Sequence, residues 1–170
     1  LVRIVSELLD LAQVEAGNIR VNPTACALGT LIGEAILAVR TAGQQKDVLF
    51  ARTAGNDGLK VQADPDKAVW VLVNLLGNAV RHSPHRGIIT IDARSAGGRV
   101  EVAVSDQGPG VPKPDQARLF QRFSPGSVGE HGSGLGLSIV REFMRAMGGD
   151  VEYRPGVNDG ATFVLTFAAA

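Results

Sequence analysis

The sequence predicts an α/β chain, and two kinds of pattern predict it. Apolar residues recur at helical spacing in separate stretches, and between them lie short runs that alternate apolar with polar residues as strands do. Glycine-rich joins such as Gly17-Asn18, Gly97-Gly98 and Gly148-Gly149 separate one kind of stretch from the other.

The 170 residues suit one ordinary domain, alone or with a short appendage. Lys and Arg number 17 and Asp and Glu also 17, so the chain has no general basic field, and no nucleic-acid partner is expected. Cys26 stands alone, which excludes a disulfide within the chain and fits cytosolic conditions. The longest apolar run, Ala68 to Val73, falls far short of the roughly 20 residues that cross a bilayer. The chain opens at Leu1 inside a helical pattern, without an initiator methionine. It reads as a cytoplasmic piece of a longer protein, one whose remainder has room for an inner-membrane anchor.

Leu1, Val5, Leu8 and Ala12 share a helical face that Gly17-Asn18 terminates. A wide apolar stripe of this kind needs a partner, either its own domain or the second half of a helical hairpin. Ile19 to Val21 is a strand candidate stopped by Pro23, and Leu28 to Gln45 is a second amphipathic helix. Val48 to Arg52 and Leu59 to Gln62 read as two strands across an Asn-Asp-Gly loop. Asp64 can cap the next helix, which Pro65 opens. Val69, Leu72, Val73, Leu76 and Val80 form its apolar face. At about 100° per residue, Asn74, Asn78 and Arg81 fall within about 60° of one another on the opposite side. Asparagines are poor helix formers, so two of them four apart suggest more than a solvated face.

Ile88 to Arg94 and Arg99 to Ser105 form a hairpin through Gly97-Gly98 and deliver Asp106-Gln107-Gly108-Pro109-Gly110 at a strand end. From Val111 to His131 the only pattern is Gln116 to Phe123, and so long an irregular connection reads as a lid or binding loop. Gly132-Ser133-Gly134-Leu135-Gly136-Leu137 then runs into an apolar helix that ends at Met147. Amides at such a helix start, with the positive end of the dipole, make a seat for phosphate. A glycine-rich turn capping an ordinary amphipathic helix has the same local sequence. Val151 to Tyr153 and Ala161 to Phe167 close the chain as strands, the latter with Phe163, Leu165 and Phe167 on one face.

Four segments in order carry a resemblance. Asn74-Leu75-Leu76-Gly77-Asn78-Ala79-Val80-Arg81-His82-Ser83, Asp106-x-Gly108-x-Gly110, Leu119-Phe120-x-Arg122-Phe123 and Gly132-x-Gly134-Leu135-Gly136 resemble the N, first glycine, F and second glycine boxes of the sensor histidine kinases of two-component systems. Residues 8–17 resemble the end of the second helix of that family's dimerisation and phosphoacceptor hairpin, and Gly160-Ala161-Thr162-Phe163 its last glycine-containing motif. The resemblance implies residues 1–17 as the end of that hairpin and 18–170 as an ATP-binding catalytic domain. The implied fold is Bergerat-type, an α+β two-layer sandwich with a mixed sheet of about five strands covered on one face by three helices.

The same resemblance assigns roles. Asp106 would accept a hydrogen bond from the exocyclic amine of adenine, with Gly108 and Gly110 clearing the approach. Asn78 would hold Mg²⁺ beside the triphosphate, and Arg81 would reach phosphate oxygens. His82 would stand beside the nucleotide, and Phe123 and Thr162 would join it. The amides of Gly132, Ser133, Gly134, Leu135, Gly136 and Leu137 would cradle the phosphates. Related gyrase, chaperone and mismatch-repair ATPases have a water-activating glutamate at the place of Asn74. An amide cannot act as a general base, which favours positioning for phosphoryl transfer over hydrolysis. The expected function is presentation of ATP and Mg²⁺ to a histidine on an upstream helix, for relay to a response-regulator aspartate, in a protein that is a homodimer at full length. His82, His85 and His131 lie in no helical acceptor motif, so the acceptor is expected outside this chain. A serine kinase of the anti-sigma type and a non-catalytic nucleotide-sensing or protein-docking module are the competing readings.

Overall fold

The computed structural model describes residues 2–53, 55–122 and 135–170. Helix α1 (Val2–Glu15) leads through an extended segment to strand β1 (Thr24–Ala27) and helix α2 (Leu28–Gln45). Strands β2 (Leu49–Arg52) and β3 (Lys60–Ala63) follow, then helix α3 (Pro65–His82) and strands β4 (Ile88–Ala96) and β5 (Arg99–Ser105). A single helical turn, α4 (Lys113–Gln116), precedes helix α5 (Gly136–Ala146) and strands β6 (Asp150–Pro155) and β7 (Ala161–Ala169).

The strands form one seven-stranded mixed sheet in the order β1-β3-β7-β5-β4-β2, with β6 also paired to β7. Only β2 and β4 run parallel; the other pairs are antiparallel. Period-two alternation sends Ile89, Ile91, Val100, Val102, Val104, Phe163, Leu165 and Phe167 to one face, where they are buried. The buried faces of α2, α3 and α5 join them in a single core. This is the two-layer arrangement expected, with a larger sheet than the family pattern implies.

One strand expectation is corrected. Ile19–Val21 is not a strand: the Asn22 amide donates to Asp64 Oδ2 at 3.0 Å rather than to a ladder, and pairing begins after Pro23, at Thr24 opposite Ala63. The two strands expected across the Asn-Asp-Gly loop are both present, and they do not pair with each other. Strand β2 lies at one edge of the sheet beside β4, whereas β3 pairs with β1 and β7 near the other. The reason sits in Asn56, 1% exposed. Its Nδ2 donates to Ile91 O and its Oδ1 accepts from Ala93 N, each at 3.1 Å, so the side chain acts as a surrogate strand on β4. Asn56→Ala is expected to destabilise the fold by about 1–3 kcal/mol in urea unfolding, the cost of stranding a buried amide.

Helix α3 starts as the sequence indicates. Asp64 Oδ1 accepts from the amides of Asp66 (3.1 Å) and Lys67 (3.3 Å), and Pro65 occupies the first turn. It is the middle helix, packed against α2 on one side and α5 on the other. That position buries Val71, Leu75 and Ala79 together with Leu72, Leu76 and Val80 of the predicted face, leaves Val69 and Val73 half-buried, and encloses Asn78. In α1, Leu11 and Val14 pack on the core, while Val5, Leu8 and Leu9 are exposed.

Candidate functional site

Strand β5 ends at Ser105, and Asp106 prolongs its ladder by donating its amide to Ala161 O at 2.9 Å. The Asp106 side chain is buried in the lining of a cleft of about 300 Å³. Asn78 and His82 of α3 line this cleft, with Val111, Leu119, Leu137 and Phe163 as apolar walls. Asp106 Oδ1 accepts from Gly108 N at 2.8 Å and Ala161 N at 3.4 Å. Oδ2 has no hydrogen-bond partner among the described residues. A larger hollow, about 440 Å³ between α2 and β2, contains no buried polar residue among those lining it.

The glycines explain how the walls come so close. A Cβ on Gly108 would stand 2.4 Å from His82 O, which presses the Asp106 loop against the end of α3. Gly110 has φ +72°, and a Cβ there would stand 2.4 Å from Asp159 O. Both contacts are backbone against backbone within the protein. Beyond the glycines, Tyr153 Oη accepts from Val111 N at 3.2 Å and Gln116 Nε2 donates to Val111 O at 2.9 Å, pinning the exit of the loop. The Phe163 ring lies 5.5 Å from that of Tyr153 and 6.2 Å from that of Phe120.

Of the predicted site residues, Asn78, His82, Asp106, Gly110 and Leu137 meet at the cleft. Gly108 supports it from behind. Arg81 reaches it through Asn78, whose Oδ1 accepts from Arg81 Nη2 at 2.9 Å. Asn74 stands apart: Nδ2 donates to Trp70 O at 2.9 Å, and a Cβ on Gly136 would meet its Oδ1 at 3.2 Å. It therefore lies under the first turn of α5, whose start is at Gly136, immediately after Leu135. Thr162 is a correction. Ala161 and Phe163 line the cleft, so the strand pleat turns Thr162 to the other face of the sheet, where its hydroxyl meets that of Ser105 at 2.9 Å. Phe123, Gly132, Ser133 and Gly134, and most of the expected lid, lie outside the described residues. Sequence reasoning missed Tyr153, Leu119 and Val111 as parts of the site. No local pattern marks Tyr153 or Val111, whereas Leu119 and Ala161 each lie inside a motif quoted above, Ala161 one residue before Thr162.

His82 is held below the usual histidine range by partial burial of its ring first and then by the Arg81 charge, with the Asp106 carboxylate pulling the other way. Its folded pKa is thus below its unfolded value of about 6.5. In the window just under that value the unfolded chain binds more protons, so stability rises with pH there and declines as acid charges the ring. Urea unfolding should show this slope as the pH falls below about 6.5, and His82→Gln should flatten it.

A buried carboxylate oxygen in the lining of an apolar slot accepts hydrogen bonds from a flat heterocycle bearing an amino group. The amide and guanidinium of Asn78 and Arg81 at the rim suit an anionic tail. The chain belongs to the histidine kinase-, DNA gyrase B- and HSP90-like ATPase family, whose model matches residues 63–170. Within that family it is similar to sensor histidine kinases. It is 33% identical over 170 residues to the sensor-like histidine kinase SenX3 of Mycobacterium tuberculosis, covering 98% of this chain and 41% of that protein. It is 32% identical over 165 residues to the alginate biosynthesis sensor protein KinB of Pseudomonas aeruginosa, covering 97% and 28%. Among solved structures, full-length ShkA in complex with AMPPNP superposes with TM-score 0.85 at 30% identity, covering 99% of this chain and 36% of that one. The nucleotide-free catalytic domain of the histidine kinase ThkA gives 0.78 at 28% identity, covering 86% and 95%. The chain spans less than half the length of these curated relatives. No helix among the described residues is long and apolar enough to cross a membrane.

Proposed function

We propose that this chain holds ATP in the Asp106 cleft and presents its γ-phosphoryl group to a histidine on an upstream helix, from which a response-regulator aspartate receives it. The observation that carries the reading is the buried Asp106 carboxylate, with one oxygen bound to its own loop and the other without a protein partner among the described residues. Adenine offers an amine to that oxygen; guanine offers a carbonyl, which it repels.

Asn78 fits a place beside Mg²⁺. Its buried Oδ1 already faces a cation, the Arg81 guanidinium, and a neutral amide oxygen is an acceptable ligand where a triphosphate supplies the negative charge. The metal would contribute charge neutralisation on the phosphates. Arg81 would turn from Asn78 to phosphate oxygens, and the first turn of α5 would lend its amides and dipole. Of the carboxylates lining the cleft, Asp115 pairs with Arg118 at 3.1 Å, and Asp106 holds its loop amides through Oδ1 with Oδ2 assigned to the base. The amide at position 74 cannot act as a general base, which favours transfer over hydrolysis. Homodimerisation through the helix that α1 ends belongs to the same proposal, and the exposed Leu8 and Leu9 support it.

Mixing the chain with an upstream helix carrying a histidine, together with labelled ATP, should give acid-labile label on that histidine. Bound nucleotide with no transfer would leave a sensing module instead, and label on serine would favour the serine-kinase alternative.

A further inference from the structure

Lys46 lies just past the end of α2, outside every recognised box, and its contacts converge on the nucleotide side of the molecule. Its Nζ donates to Val80 O at 3.0 Å, Arg81 O at 2.8 Å and Ser83 O at 2.8 Å. An ammonium group has three donors, and here each finds a carbonyl that the end of a helix leaves without an intrahelical partner. The Lys46 carbonyl accepts from Arg86 N at 2.9 Å, so one residue grips both sides of the turn that leaves α3. Arg86 has φ +60°, a conformation that needs such external support.

Between these acceptors, the carbonyl of His82 is left by Lys46. It is the atom against which Gly108 packs, 2.4 Å from where a Cβ would be. The exit of α3 is thus held between Lys46 on one side and the Asp106 loop on the other. On the loop side, Gln107 Oε1 accepts from Ile88 N at 2.8 Å, closing the same turn. The ammonium also sets positive charge at the negative end of the α3 dipole.

We propose that Lys46 is a positioning residue for the nucleotide cleft: it fixes the last turn of α3 so that His82 faces the cleft and the His82 carbonyl seats the Asp106 loop. This rests on the reading of the cleft as an ATP site. A cap serving stability alone would leave nucleotide affinity where it is in any variant that still folds.

Calorimetry with Mg-ATP on the unsubstituted chain, Lys46→Met and a core control, Ile32→Val, separates the two roles. Ile32 is fully buried on α2, away from this turn, so its shortening lowers stability without touching the α3 exit. The expected result is about a tenfold weaker affinity for Lys46→Met and unchanged affinity for the control. The ring resonances of His82 should titrate at higher pH in Lys46→Met, because a cation is removed; the other charges facing the ring, Arg81 and Asp106, are retained. Should Lys46→Met not fold, Lys46→Gln replaces it, since its amide has two donors and no charge; the same direction of change is expected. Affinity within twofold of the unsubstituted chain in a folded variant, or an equal loss in the control, overturns the inference. Absence of ATP binding by the unsubstituted chain overturns the nucleotide reading together with it.

Discussion

Asp106→Asn is expected to weaken ATP binding by at least tenfold while leaving the chain folded. The aspartate accepts on both oxygens in the proposed complex: Oδ1 from Gly108 N at 2.8 Å, Oδ2 from the adenine amine. Asparagine has one oxygen and one NH₂ group. Whichever way the amide turns, a donor then confronts a donor, either at the loop or at the base. A hydrogen bond to a charged group contributes about 1.5–3 kcal/mol, which corresponds to roughly a ten- to hundredfold change in affinity. Selectivity should fall as well, because the repulsion between a carboxylate and the guanine carbonyl is gone; the ratio of GTP to ATP affinity is expected to rise. Calorimetry with both nucleotides, beside an unchanged far-ultraviolet dichroism spectrum, provides the check. An unaltered ATP affinity would remove Asp106 from the base-recognition role and with it the main support for the proposed function.

Much of this site was legible because its chemistry is written in short spans. The cap of α3 is one residue deep: Asp64 and Pro65 announce the helix, and the structure has both in those roles. Asn78, Arg81 and His82 are set on one helix by its period, and Asp106 with its glycines follows directly from a strand end. What could not be read depends on partners distant along the chain. Asn56 looks like a turn residue, and its work as a surrogate strand on β4 appears only once Ile91 and Ala93 lie beside it. The parallel pairing of β2 with β4 is likewise a tertiary choice, since the alternation within Leu49–Arg52 does not specify a neighbour. For Thr162 the difference is one of parity: a one-residue shift along a strand exchanges the two faces of a sheet, and the Gly160-Ala161-Thr162-Phe163 motif alone does not fix the pleat. Tyr153 reaches Val111 across 42 positions, a separation at which sequence patterns have no reach.

Gly160→Ala should be a damaging methyl addition, and one that falls directly on the candidate site. The backbone there has φ −69° and ψ −179°, ordinary extended values that alanine adopts without strain. Its difficulty is contact. An added Cβ would sit 2.1 Å from Asp106 O and 3.1 Å from the carbonyl carbon, both backbone atoms that cannot rotate aside. Relief requires β5 and β7 to part where Asp106 N donates to Ala161 O at 2.9 Å, and where Ala161 N in turn reaches Asp106 Oδ1 at 3.4 Å. Overpacking of this kind costs about 1–3 kcal/mol, and the rigidity of both partners places it toward the upper end. The effect on nucleotide binding should exceed the loss of stability, because the displaced segment is the one that aims the Asp106 carboxylate. Gly33→Ala is the matched comparison: nothing lies within 4 Å of its missing Cβ, and it is inside α2. There alanine should stabilise by roughly 0.5–1 kcal/mol through helix propensity. Urea unfolding and ATP titration of both variants test the contrast. A Gly160→Ala chain as stable as the original would mean that the β5–β7 junction yields to the methyl group, and that Asp106 is held by its side-chain contacts rather than by this backbone crossing.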